Sequence, residues 1–191
     1  MARPKEFDET QALKAAIEVF RQYGFEGSSA GMLVQGMKIG RQSLYDTFGD
    51  KWRLYLSAVR QYVTDEAQTH LEALQSKPRA MDGIRAMIDR VVADSGKACL
   101  GVNSICEFGR QKPDLLTIHD AARRTVQTEV TARLREAQSD GDIAPDLDPA
   151  EVYQFLSASF AGIRIASRGG ANMNQRRALG RLAMRALQNQ V

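Results

Sequence analysis

Arg41, Gln42 and Ser43 stand side by side after the break Lys38-Ile39-Gly40, and Tyr45 follows one helical turn after Arg41. A guanidinium, a carboxamide and a hydroxyl in the first turn of a short helix are groups that can read base edges. Arg can take guanine bidentately and Gln can take adenine, each worth about 1–3 kcal/mol against a wrong base. The flanking residues fit that use. Ser29 is placed to cap a helix that runs to about Met37, and a second helix runs from Arg41 to about Phe48. Gly49 ends it, and Asp50 caps a long helix that begins at Lys51. A helix, a tight turn and a helix of under three turns form the geometry that puts a helix N-terminus into a DNA major groove. The competing reading of Ser28 to Lys51 is a helical hairpin used only for packing.

Other chemistries find little support. His70 and His119 lie far apart, with no His or Cys one turn away, so a metal site is not expected. His119 sits on an apolar face, as a satisfied core or pocket residue would. No Ser/His/Asp set, Gly-rich phosphate loop or paired-carboxylate motif stands out, so neither an enzyme nor a cofactor is expected. Cys99 and Cys106 are the only cysteines. Their spacing does not place them within bridging distance, and reduced thiols are expected. They read as small buried hydrophobes or, with Lys97 and Arg110 near enough to lower a thiol pKa, as a redox or electrophile sensor.

Bulk charge decides nothing. The net charge is +3, and up to Arg53 eight Lys or Arg stand against seven Asp or Glu. The nucleic-acid reading therefore rests on placement: Arg3 and Lys5 in an N-terminal arm, Lys38 in the turn, and Arg41 and Lys51 at helix starts. Arg3 and Lys5 read either as a basic arm that orders on DNA or as a disordered tail. No apolar run is long enough to cross a bilayer, and the start Met1-Ala2-Arg3-Pro4-Lys5 is basic and polar with no apolar stretch behind it. These features predict a cytoplasmic chain.

The elements that must hold these residues are all helices. Asp8 caps a first helix with Leu13, Ala16, Ile17 and Phe20 on one face, ended by Gly24. The helix from Lys51 runs to about Leu74, and Ser76-Lys77-Pro78 breaks it. Met81 to Val92 mark the next, and Gly96-Lys97 stops it. A short segment spans Asn103 to Phe108, and a long helix runs from Pro113 to about Ser139. Asp148-Pro149-Ala150-Glu151 opens another, with the proline at its first position. Leu179, Leu182, Ala183, Ala186 and Leu187 stripe the last one. On spacing alone Met81, Met87, Phe108, Tyr153 and Phe155 are core residues. The expected fold is all-α with about nine helices. A three-helix helix-turn-helix domain occupies residues 1–50, and a larger helical domain occupies 51–191.

This order resembles the TetR family of transcriptional repressors. The resemblance is carried by A-A-I-E-V-F-R-Q-Y-G-F-E-G-S-S and then I-G-R-Q-S-L-Y-D-T-F-G-D-K, where Leu44, Tyr45, Phe48, Gly49 and Lys51 match the family pattern. The turn Gly141-Asp142-Ile143 into Asp148-Pro149 also looks like the one before the family's dimerisation helix. The resemblance implies that Tyr45 and Lys51 meet phosphates, that Ser29 caps and touches DNA backbone, and that Arg41, Gln42 and Ser43 face the groove. It implies a ligand site between the middle helices and the helix after Asp148, for which Tyr62, Met87, Val91, Asn103, Cys106, His119, Phe155 and Ser159 are candidates. It implies a homodimer joined by Val152 to Ile163 and Leu179 to Leu187, binding a near-palindromic operator on double-stranded DNA and released by a small-molecule inducer. Two departures stand out. Lys38 occupies a turn position where the family usually has Gly, and Gly31 and Met32 replace an acidic residue often found after Ser29. Two alternatives stay open: a repressor that responds through Cys106 or Cys99, and a helical small-molecule-binding dimer without DNA binding.

Overall fold

The computed structural model describes residues 7–188; Arg3 and Lys5 lie outside them. Among the described residues the chain forms nine helices: α1 (Glu9–Tyr23), α2 (Ala30–Met37), α3 (Arg41–Phe48), α4 (Lys51–Gln75), α5 (Ala80–Asp94), α6 (Leu100–Phe108), α7 (Pro113–Ser139), α8 (Pro149–Arg168) and α9 (Met173–Arg185). The only strand-like pairing among them is an isolated bridge between Ile143 and Gln188. Among the described residues no helix is long and apolar enough to cross a membrane.

Caps explain most of the boundaries. The Asp8 carboxylate accepts the Thr10 and Gln11 N–H groups, and the Gly24 N–H closes α1 on the Phe20 carbonyl. Asp148 accepts the Ala150 N–H with Pro149 opening α8, so orphan donors of the first turn find an acceptor while proline supplies none to waste. The last helix starts earlier than its apolar stripe indicates. Asn172 and Gln175 form a reciprocal capping box, which sets the start at Met173.

The chain divides into two compact units. The first runs up to Thr64 and takes in Cys99–His119; the second holds Asp65–Ala98 and the chain from Asp120 onward. The segment 1–50 thus belongs to a unit that also takes in the first half of α4, all of α6 and the start of α7.

In the first unit, Ala16, Phe20, Leu33, Leu44, Leu54, Tyr55 and Leu100 are all but fully buried in one apolar cluster. Each large side chain there contributes about 1.5–3 kcal/mol by leaving water. An aromatic group ties the helices together: Phe20 meets Tyr55 edge-on at 4.9 Å, Phe25 meets Trp52 at 5.2 Å, and Trp52 meets Phe108 at 5.3 Å. At Gly36 the backbone of α2 comes so near α1 that a Cβ there would lie 2.8 Å from Val19 Cγ2. A larger residue there would force the Val19 side chain or the helix pair to shift.

In the second unit, Leu74, Ile84, Met87, Ile88, Val130, Leu134, Leu156 and Leu187 form the main core. Beside it lies a half-buried ionic group. Arg90 reaches Glu66 at 2.8 Å, and Arg164 makes a very short contact with the other carboxylate oxygen. Burial alone would raise the Glu66 carboxyl; the guanidiniums of Arg164 and Arg90 outweigh it and hold the group below the ordinary carboxylate value. His70 stacks on Phe160 at 5.5 Å, with Arg90 3.3 Å from its Nδ1. Burial first, and Arg90 next, push its imidazole down to about 4. The apolar stripe of α9 and the turn after it splits: Ala183 and, beyond the helix, Leu187 are buried in this unit, whereas Leu179 and Leu182 are exposed. Phe155, expected in the core, is 44% exposed, and Ile165 on the same helix is exposed as well.

Candidate nucleic-acid interface

The turn between α2 and α3 is built around one residue. Lys38 has φ 55° and ψ 39°, and it is the only non-glycine with positive φ among the described residues. The left-handed conformation costs an L-residue about 1–2 kcal/mol. It leaves the side chain of Lys38 exposed while Ile39, next to it, is buried. Burying Ile39 and Met37 around Lys38 pins the turn, so the core holds the strain in place.

At the start of α2, the Ser29 hydroxyl accepts the Met32 N–H at 3.2 Å, and no acidic residue occupies the first turn. The start of α3 is barer still. Its cap is Gly40, which offers no side-chain acceptor. The first-turn N–H groups of α3 are therefore left for solvent or for an anion such as phosphate.

The face of α3 divides cleanly. Leu44 is buried; Arg41, Gln42, Tyr45 and Asp46 are exposed, with Ser43 between the two states. Gln42 Nε2 donates to Asp46 Oδ1 at 2.8 Å along the helix. Gly49, with φ 80°, ends the helix on the Tyr45 carbonyl. Asp50 then accepts the Arg53 N–H at 2.8 Å and so caps α4. Lys51, in the first turn of α4, holds its ammonium 4.3 Å from the centroid of the Phe25 ring. That contact positions a cation at a helix N-terminus, where the dipole favours an anion.

The eight ligand candidates fall in both units. In the first, Tyr62 is buried, with the Arg21 guanidinium 5.4 Å from its ring centroid. Asn103 donates to the Arg21 carbonyl at 2.9 Å, so these two candidates meet around one residue. His119 Nε2 lies 2.8 Å from the Ser104 hydroxyl. Cys99 is buried, and its sulfur accepts the Val102 N–H at the start of α6, whereas Cys106 is exposed, contrary to the reading of both as buried hydrophobes. In the second unit, Met87 and Val91 lie one turn apart on α5 and are buried. Phe155 is exposed and Ser159 half-buried on α8.

One residue of the first unit escaped the sequence reading altogether. Glu107, one turn after Asn103 on α6, accepts the Phe25 N–H at 3.0 Å and the Glu26 N–H at 2.8 Å. Asn103 and Glu107 together hold the end of α1 and the linker into α2. The Gly24 backbone passes so close that a Cβ there would lie 3.1 Å from a Glu107 oxygen. Burial, and the Glu107 charge after it, push the Tyr55 hydroxyl well up, so it stays protonated.

Residues 76–181 match the family described as Tetracyclin repressor-like, C-terminal domain. The chain is 31% identical over 181 residues to the uncharacterized HTH-type transcriptional regulator YezE of Bacillus subtilis, spanning 92% of this chain and 93% of that protein. It is 26% identical to the HTH-type transcriptional repressor ComR of Escherichia coli, over 91% of this chain and 85% of ComR. Among solved structures, a cysteine mutant of the TetR family regulator CifR, complexed with 26-bp double-strand operator DNA, superposes with a TM-score of 0.80. It is 27% identical, over 97% of this chain and 100% of that one. With a helix-turn-helix at one end and the matching helical domain over most of the remainder, the chain belongs to the TetR family of transcriptional regulators.

Proposed function

We propose that this protein is a cytoplasmic repressor without enzymatic activity, a homodimer that grips a near-palindromic operator through two copies of α3. The observation that carries the reading is the exposed set Arg41, Gln42 and Tyr45 at the start of a helix whose cap offers no side-chain acceptor. Arg41, Gln42 and Ser43 enter the major groove. Ser29, Lys38, Tyr45 and Lys51 take phosphates, with Arg3 and Lys5 as a further arm. Phosphate contacts set register and base contacts set sequence. Dimerisation uses the exposed apolar side chains Phe155 and Ile165 of α8 and Leu179 and Leu182 of α9. The dimer's half-sites then lie about 34–36 Å apart, or a multiple of that.

Release follows from a small-molecule inducer that binds one arrangement of the helices better than the other, since binding both equally would shift nothing. Tyr62, Asn103, Cys106 and His119 in the first unit, and Met87, Val91 and Ser159 in the second, are the candidates for ligand contact; Phe155, also a candidate by sequence, is exposed and is assigned to the dimer face. A thiol trigger is the second reading. It is favoured by the exposure of Cys106 between Asn103 and Glu107, the two residues that hold the end of α1. If Cys106→Ser binds operator normally but no longer responds to an electrophile that releases the wild type, the thiol is the trigger. In vitro selection from randomised duplexes tests the whole proposal. Enrichment of a near-palindrome supports it, and no enrichment would leave a helical small-molecule-binding dimer without DNA binding.

A further inference from the structure

Asp46 is the only acidic residue of α3, and it stands on the exposed face beside Gln42 and Tyr45. A carboxylate there works against phosphate attraction, so its presence on a DNA-reading face asks for a compensating role. The hydrogen bond from Gln42 Nε2 to Asp46 Oδ1 at 2.8 Å supplies one.

We propose that Asp46 is a specificity-determining residue that fixes which way round Gln42 presents its amide to a base pair. The inference rests on the reading of α3 as the helix that enters the groove. An ionised carboxylate has only lone pairs to offer, so the amino end of the Gln42 amide must face it and the carbonyl end cannot. One of the two amino hydrogens is engaged; the other, and the carbonyl oxygen, stay free. A donor and an acceptor in fixed order are what adenine matches with its N7 acceptor and N6 amino group. An untethered glutamine can turn over and offer its amino group alone to acceptor-bearing edges, such as guanine O6 and N7 or thymine O4. Asp46 removes that freedom. It also repels those same acceptors by its charge.

A Gln and an Asp one turn apart also support a helix modestly. That bland role predicts loss of stability and equal loss of binding on every sequence. The specificity role predicts a change confined to one base pair.

The test is in vitro selection with the full chain as wild type, Gln42→Ala, Asp46→Ala and Asp46→Asn, with a thermal melt of each. Gln42→Ala identifies the base pair by the position at which preference disappears. At that pair the wild type prefers adenine about tenfold. Asp46→Ala and Asp46→Asn, whose amide can meet Gln42 either way round, reduce that preference to within about threefold. They leave the other positions as they were and tighten binding to random-sequence DNA, since a negative charge has gone. Unchanged adenine preference in both variants, or equal weakening at every position alongside a lower melting temperature, would overturn the proposal. If the wild type selects no sequence, the DNA-binding reading falls and this inference with it. If the wild type selects a site that Gln42→Ala leaves intact, only this inference falls.

Discussion

At the scale of single residues, the turn and the two helices around it make separable predictions. Lys38 bears a left-handed conformation that glycine adopts freely. Lys38→Gly should therefore stabilise the protein by about 1 kcal/mol, read as a shift in denaturation midpoint, while weakening binding to all DNA sequences by the loss of one cation. A variant that is less stable would mean that the side chain packs rather than strains. Tyr45→Phe and Lys51→Ala should lower affinity for every duplex alike, whereas Gln42→Ala should change which duplex is preferred; an equal loss on all sequences from Gln42→Ala would remove its direct role in readout. Much of this was legible from residue types, because caps and glycines mark turns locally. The Gln42–Asp46 bond could have been read from their spacing of four, but nothing in the sequence distinguishes a tethered amide from a free one.

At the scale of elements, helix boundaries were legible wherever a cap or a breaker announced them. The spans Arg41–Phe48 and Pro113–Ser139, and the start at Pro149, follow from Gly40, Gly49, Pro113, Gly141 and Asp148. The start of α9 lies ahead of the apolar stripe from Leu179, where Asn172 and Gln175 spell a capping box in sequence. Glu107 could not be found at all. Its partners lie more than eighty residues away, and no local pattern encodes such a contact. Its role makes a sharp prediction. Glutamine in its place has one carbonyl oxygen for two N–H groups and turns an amino group toward the other, so Glu107→Gln should cost about 1 kcal/mol by chemical denaturation. No measurable change would mean that solvent serves these N–H groups equally well. Gly36→Ala tests the helix pair itself. The added Cβ meets Val19 Cγ2 at 2.8 Å. Overpacking of this kind costs about 1–3 kcal/mol, against about 0.5–1 kcal/mol that alanine gains over glycine within a helix. A net loss is therefore expected, and a variant as stable as the wild type would show that the Val19 side chain gives way.

At the scale of the whole molecule, the sequence announced an all-α chain with a helix-turn-helix at one end, since nine runs at helical spacing left no room for strands. It did not say which side of each apolar stripe faces inward. Phe155 reads as core by spacing yet is exposed, and the stripe Leu179 to Leu187, read as a dimer face, is exposed at Leu179 and Leu182 but buried at Ala183 and Leu187, because a stripe wide enough for two interfaces looks the same as one wide enough for a single one. Nor did it show that Glu66, His70, Arg90 and Arg164 converge. That group makes stability depend on pH in one direction. His70 is held at about 4 against an ordinary 6.5, and Glu66 is also held low. Their contributions are complete above the unfolded values and are lost as pH falls, first between about 6.5 and 4 for His70 and then, below the ordinary carboxylate range, for Glu66. The melting temperature should therefore fall on acidification through that window, and His70→Gln should flatten the dependence; an unchanged slope would show that other groups set it. The claim on which the rest depends is that α3 reads DNA. Footprinting of the full chain on a duplex recovered by in vitro selection tests it most directly. Two protected half-sites on one face of the duplex are expected, with protection lost in the double variant Arg41→Ala, Gln42→Ala while its helix content is unchanged. Absence of protection, or protection that the double variant retains in full, would contradict it.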